Sequence, residues 1–359
     1  MKRLRVLVTG GTGFVGRNLI HHLKNGLTRD FEPSEILLLT RKASTTTTTD
    51  KIIRVVQGDL TDPKSLKNSV EDVSAVFHLA ANADDWASWK QLYKANVEGT
   101  ANLVDAFLKY ADGETWVQVS SAGIYGHYIP DEPVNEDYPP NPTSEYQRSK
   151  LLQEEELLQR ADDNNLKLCI LRTPSIIGPG DTTTTLPAVR ALAERSFPQV
   201  GDGKNSLTFT NVLDLTQGMI LAAKNLGNFN EPKIWNIYSF ITTLREYQSV
   251  FCDLLELPMP KKLNFRLVYT AAIFSEIWAK ITGKKTTLNR YRVTKFSKSR
   301  MYDMTKIQQE LGFKPRYDLQ ASAQGAVEWL IQHGYIESPR SDQTSGTAIS
   351  AQQIADATP

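Results

Sequence analysis

Cysteine is nearly absent from this 359-residue chain, which has two, Cys169 and Cys252, far apart and outside any C-x-x-C pair. That leaves no disulfide framework and no thiolate metal site to expect, and both read as small buried hydrophobes. An excess of one charge is also lacking. With 41 Lys and Arg against 40 Asp and Glu, nothing overall draws in a polyanion, and no nucleic-acid partner is expected. Long apolar runs are missing too. The Met1-Lys2-Arg3 start imitates a signal peptide, but the apolar run behind it is short and glycines at 10–16 interrupt it. The most apolar later stretch, 267–281, contains Glu276 and Lys280 and falls short of the ~20 residues of a membrane span. The expected location is cytoplasmic, either free or peripheral to a membrane. At 40% hydrophobic and 23% charged residues the chain is globular and long enough for about two domains.

What is present is alternation. Short β-branched runs at 6–9, 36–40, 53–57, 75–79, 116–120 and 168–172 are separated by segments with helical apolar spacing, among them 15–23, 92–108 and 146–160. That order predicts a doubly wound parallel α/β sheet with right-handed crossovers. After Gly178-Pro179-Gly180 loops and helices take over, and one late strand-like run at 234–238 can return to complete the sheet. The second domain is therefore interleaved: a dinucleotide-binding domain over 1–178 and 211–240, and a smaller substrate domain over 179–210 and 241–336. Residues 337–359 have too few large apolar groups to offset the entropy of ordering and read as a disordered tail. The threonine runs Thr45–Thr49 and Thr182–Thr185 read as mobile, solvent-exposed linkers without assigned chemistry.

Thr9-Gly10-Gly11-Thr12-Gly13-Phe14-Val15-Gly16 joins the first strand to the first helix. Absent side chains let backbone N–H groups approach a pyrophosphate, and the helix N-terminus favours its charge. Gly10, Thr12, Gly13, Phe14, Val15 and Gly16 are the expected cofactor contacts. An NAD site normally ends its second strand with a carboxylate for the ribose 2′-OH. Here that strand ends Thr40-Arg41-Lys42, and Arg41 suits a 2′-phosphate, so NADP(H) is favoured over NAD(H). Asp59, after the third strand, either accepts from the adenine amino group or caps the following helix. His78-Leu79-Ala80-Ala81 closes the fourth strand with small groups that leave the cofactor room, and His78 itself reads as structural.

Tyr146-Gln147-Arg148-Ser149-Lys150 opens a helix, and the i, i+4 spacing sets a phenol and an ammonium on one face. A phenol near pKa 10 transfers protons poorly at neutral pH, but a nearby cation stabilises its phenolate. Lys150 can thus tune Tyr146. Ser121, after the fifth strand, stands at the carboxyl edge where such sheets bind ligands and can hydrogen-bond a substrate oxygen.

These segments, with N-V-E-G-T at 96–100, S-S-A-G-I-Y-G at 120–126 and L-R-T-P-S-I-I-G-P-G at 171–180, resemble an extended short-chain dehydrogenase/reductase over roughly 2–335. The resemblance implies a Rossmann-fold oxidoreductase with Ser121, Tyr146 and Lys150 as its triad, Lys150 also holding the nicotinamide ribose. Ser121 is preferred to Ser120 because it stands four residues before Tyr125. Leu60, Leu79, Ala80, Ala81, Val119 and Thr173 complete the implied cofactor set. Asn96 matches a position that either supports a proton relay or is structural.

Two branches of that superfamily compete. Nucleotide-sugar epimerases and dehydratases usually carry an Asn in the first and an Arg in the second of two segments that hold the substrate diphosphate; the corresponding segments here, 172–179 and 206–212, lack that Asn and that Arg respectively. Apolar Ile176, Ile177, Leu186, Leu207 and Phe209 suit a hydrophobic carbon skeleton instead. Together with the Trp86–Trp89 segment and the run from Arg300 to Lys306, they resemble the branch of 3β-hydroxysteroid dehydrogenases, sterol-4α-carboxylate 3-dehydrogenases and long-chain β-keto acid reductases. The expected activity is interconversion of a secondary alcohol and a ketone on a sterol-like or long-chain substrate; the alternative is an epimerase or dehydratase using the same centre. Residues 261–300 hold eleven Lys or Arg and one acid, Glu276. With their apolar pattern they form either a helix lying on an anionic membrane or a bundle helix with solvated ends. A second copy of the chain, in a homodimer, is the remaining candidate partner.

Overall fold

Strands rich in Val, Ile and Leu that are buried along their whole length need a cover on both faces, and the helices between them supply it. The computed structural model describes residues 4–25, 31–42, 50–84, 86–283, 286 and 288–339. The chain runs β1 (Arg5–Thr9), α1 (Phe14–Lys24), β2 (Glu35–Thr40), β3 (Ile53–Gln57), α2 (Lys67–Val70), β4 (Ala75–His78), α3 (Trp89–Leu92), α4 (Gly99–Tyr110), β5 (Thr115–Ser121), α5 (Glu145–Asn164) and β6 (Lys167–Thr173). It continues through β7 (Ser175–Ile177), α6 (Thr185–Ala193), β8 (Gln199–Val200), β9 (Ser206–Asn211), α7 (Val212–Asn225) and β10 (Lys233–Asn236). Last come β11 (Phe240–Thr243), α8 (Leu244–Leu254), β12 (Lys262–Leu263), α9 (Phe265–Thr282), α10 (Arg290–Ser297), α11 (Thr305–Leu311) and α12 (Leu319–Gln332).

The main sheet has the order β3-β2-β1-β4-β5-β6-β10, every pair parallel. The expected late strand at 234–238 is β10, and it does complete this sheet beside β6. Period-2 alternation divides the core. Val6, Val8, Ile36, Leu38 and Phe77 face one layer with α1 and α7, whereas Leu7, Leu37, Val76 and Trp116 face the other with α4 and α5. The order reverses between β1 and β4, which opens the crevice where such sheets bind ligands.

The helix expected over 92–108 is broken. Between α3 and α4, Tyr93–Glu98 form a wide π turn with Asn96 fully buried inside it. A second sheet, β11-β9-β7, carries its own core, with Phe209 stacked on Tyr247 at 4.9 Å. Because β7 pairs with β9, the chain changes sheets at Pro174, before the expected boundary at 178. The Thr45–Thr49 run and most of the expected disordered tail, from 340 onward, lie outside the described residues.

Candidate active site

The glycine loop is shaped by close approach. Gly10 has φ +66°, and a Cβ there would lie 2.8 Å from the Ala80 nitrogen; on Gly16 it would lie 2.3 Å from the Gly10 oxygen. α1 starts after Gly13 with no side-chain cap and no acid in its first turn, so its leading N–H groups are left for an anion. This cradle fits a dinucleotide pyrophosphate. Thr12 contributes its carbonyl to Arg17 Nε at 2.8 Å, bracing the loop.

A buried polar network fixes the strand ends beneath it. Thr100 Oγ1 donates its single proton to the Asn96 carbonyl at 2.7 Å. His78 Nε2 must therefore be the donor to Thr100 at 2.8 Å, which leaves Nδ1 to accept from Thr9 Oγ1 at 2.7 Å. Thr9 Oγ1 in turn accepts from the Leu79 and Ala80 N–H groups, each at 3.1 Å. Burial, helped by the Lys150 charge, lowers the His78 pKa to about 3, so this ring is neutral and structural.

The last residues of β5 alternate. Ser120 is buried with no hydrogen-bond partner for its Oγ, while Ser121 faces the crevice and its Oγ accepts from the Gly123 N–H at 3.0 Å. Ser144 caps α5 by accepting from Gln147 N–H at 3.2 Å, which starts the helix so that Tyr146 stands on the opposite wall. Gly10, Gly13, Phe14, Ser121 and Tyr146 line one cleft of about 380 Å³. Lys150 is buried: its ammonium donates to the Val119 carbonyl at 2.9 Å and to Gln153 Oε1, and it does not line that cleft. Burial lowers its pKa to about 8, with Glu154 opposing the shift.

Other expected contacts divide. Leu79 and Val15 line the cleft, and Arg41 is exposed at the end of β2. Asp59 does not cap the next helix; it accepts from the Thr61 N–H and hydroxyl at 2.8 and 2.9 Å, while Asp62 caps the turn Pro63–Ser65. Those bonds hold the Asp59 carboxyl below its usual range, with Arg41 contributing at longer reach. Asn96 is structural rather than a cofactor contact: it accepts from Asn82 N–H at 2.7 Å and donates to the Asn82 carbonyl and Ser149 Oγ. Thr173 is buried against Thr210 Oγ1 at 2.8 Å, Leu60 packs in the core and accepts from Asn102, and Ala81 is exposed.

On the substrate side Ile176 lines the cleft, but Ile177, Leu186, Leu207 and Phe209 are core packing. The wall is instead completed by Thr183 and Thr184 of the threonine run, by Arg300 and Tyr302 of the run at 300–306, and by Thr208, which no local pattern marks. The Thr182–Thr185 run is correspondingly not a free linker. Buried Asp181 accepts from the N–H groups of Thr183, Thr184 and Thr185 at 2.9, 2.8 and 2.7 Å and starts α6 there. An Asp before a threonine cluster was the available signal.

The chain is similar to known proteins over most of its length. The chain is 28% identical to a sterol-4-alpha-carboxylate 3-dehydrogenase of Candida albicans, covering 90% of this chain and 97% of that protein. It is 26% identical to a 2-alkyl-3-oxoalkanoate reductase of Stenotrophomonas maltophilia, covering 88% and 96%. Among solved structures, MoeE5 in complex with UDP-glucose and NAD superimposes with a TM-score of 0.71 at 26% identity, over 92% of this chain and 99% of that one. Residues 6–237 match the model of the NAD dependent epimerase/dehydratase family; the chain belongs to that family and is an enzyme of the extended short-chain dehydrogenase/reductase type.

Proposed function

We propose that this protein is an NADP(H)-preferring oxidoreductase that interconverts a secondary alcohol and a ketone on a hydrophobic substrate bearing a carboxylate near the reacting carbon. The observation that carries the reading is that Ser121 and Tyr146 face one cleft with the glycine cradle. Ser121 Oγ already accepts from Gly123, so its own proton is left to donate to the substrate oxygen. Tyr146 gives or takes the proton at that oxygen. A bound nicotinamide supplies or accepts the hydride. Two of the three N–H bonds of the Lys150 ammonium are committed to Val119 and Gln153, which leaves the third for the cofactor ribose or the phenolate.

Arg41, with no carboxylate at the end of β2, supports the preference for a 2′-phosphate. Arg300 supports the acidic substrate: it places a cation among Ile176, Thr208 and Tyr302 on the substrate wall. Both relatives named above act on compounds whose names put a carboxylate one carbon from the carbon bearing oxygen.

An assay of cofactor absorbance with NADH and NADPH tests this, using a 2-alkyl-3-oxoalkanoate against UDP-glucose and dTDP-glucose. Oxidation of NADPH by the keto acid alone is expected. The second reading, an epimerase or dehydratase, draws on the likeness to MoeE5; conversion of a nucleotide sugar without net cofactor turnover would establish it and overturn the first.

A further inference from the structure

Helix α9 has two opposite faces. Val268 and Ala272 pack against Val200 and Val293, and Ala279 is buried along the same side. The other face carries Leu267, Phe274, Trp278 and Ile281, which are 68, 67, 67 and 74% exposed, beside Ile277 at 49%. At 100° per residue the first four fall within about 60° of one another, so they form a single stripe roughly 20 Å long. An apolar stripe of that size facing water marks a surface that meets something.

Charge says what it meets. Residues 261–300 contain eleven Lys or Arg and one acid, although the chain as a whole is +1. That acid, Glu276, is already engaged, accepting from the Arg290 backbone N–H at 2.7 Å and from its Nε at 2.8 Å. Lys261, Lys262 and Arg266 are exposed at the start of α9, next to exposed Leu263 and Leu267. A second copy laid stripe to stripe would bring two such cationic segments together, whereas an anionic surface complements them. Among the described residues no helix is long and apolar enough to cross a membrane, and the buried face of α9 is committed to the protein.

We propose that α9 is an interfacial anchor that seats the enzyme on an anionic bilayer. Leu267, Phe274, Trp278 and Ile281 enter the acyl boundary, and Lys261, Lys262 and Arg266 sit at the headgroup phosphates. The inference does not depend on the substrate proposed above.

Co-sedimentation of the full chain with phosphatidylcholine vesicles, with and without phosphatidylglycerol, tests it. Binding is expected with phosphatidylglycerol only, and should weaken at least tenfold as salt rises from about 0.05 to about 0.5 M. Phe274→Ser with Trp278→Ser and Ile281→Ser should cut the partition at least tenfold at an unchanged thermal midpoint. Lys261→Gln with Lys262→Gln and Arg266→Gln should cut it about a hundredfold. Absence of binding to either vesicle, or binding indifferent to phosphatidylglycerol and salt, would overturn the proposal. So would light scattering that shows the serine variant turning a dimer into a monomer, because a second copy would then be what covers the stripe.

Discussion

Thr9 Oγ1 donates to Nδ1 of His78 across 2.7 Å, bonding the ends of β1 and β4 side by side where the strand order reverses. The same hydroxyl oxygen holds the Leu79 and Ala80 N–H groups, so the turn after β4 is pinned against Gly10 and the cofactor cradle. The arrangement works only with a neutral ring, because an imidazolium Nδ1 cannot accept.

That requirement predicts acid sensitivity. The His78 pKa is lowered from 6.5 to about 3, so the unfolded chain binds a proton that the folded one refuses. Stability is then lost as pH falls from about 6.5 toward 3, at about 1.4 kcal/mol per unit. His22, bonded to Thr216 Oγ1 at 2.7 Å and likewise lowered to about 3, chiefly by burial, adds a second such slope. Denaturant midpoints between pH 7 and 4 should fall less steeply in His78→Leu than in the parent, even though the variant is weaker at pH 7. Parallel slopes would exclude His78 as a source.

Lys150 titrates in the opposite range. Its pKa is lowered from 10.5 to about 8, so between those values the folded state holds fewer protons than the unfolded one and its contribution to stability rises with pH. The stability gap between the parent and Lys150→Met should grow in the parent's favour from pH 8 to 10, by on the order of 1–3 kcal/mol. A gap independent of pH would mean that the ammonium is hydrated rather than buried.

Tyr146→Phe should lower turnover by roughly three orders of magnitude while cofactor affinity stays within about twofold, since the variant loses only proton transfer. Equilibrium binding followed by intrinsic fluorescence, beside steady-state rates, separates the two. Comparable turnover in the variant would remove Tyr146 from its role.

Arg41→Ala should weaken NADPH binding about tenfold or more and leave NADH binding nearly unchanged, because only the 2′-phosphate loses a charge-assisted partner. Equal losses for both cofactors would assign Arg41 to the fold instead.

Glu154 and Arg172 form a buried ion pair at 2.8 Å that ties α5 to β6, and Arg172 also donates to Tyr125 Oη and the Glu136 carbonyl. Glu154→Ala leaves that guanidinium buried without its counter-charge and should cost roughly 3–5 kcal/mol in chemical denaturation. A loss below about 1 kcal/mol would show that the site hydrates.

Local pattern determined much of this protein. Apolar runs bounded by turn residues marked the six leading strands of the main sheet; five of them are largely buried and leave little polar alternation to hide them, while the edge strand β3 is half-exposed and was marked by its β-branched residues. The glycine loop was legible for a similar reason: a backbone that must approach Ala80 and carry a positive φ at Gly10 tolerates little else. Ser121 and Tyr146 were singled out through the family resemblance, Ser121 by its offset from Tyr125 and Tyr146 by its i, i+4 spacing to Lys150, and the structure sets both along one cleft.

Tertiary structure alone decided which apolar residues line the cleft. Ile176 and Ile177 are adjacent, yet the pleat of β7 turns one to the cleft and the other into the core. It also brought Thr183 and Arg300, more than a hundred residues apart, onto one wall, and gave Lys150 a carbonyl and an amide as partners. Spacing within a helix or strand is set by local geometry that sequence carries directly, whereas contacts between distant segments depend on how the two sheets pack, which no short window of residues encodes.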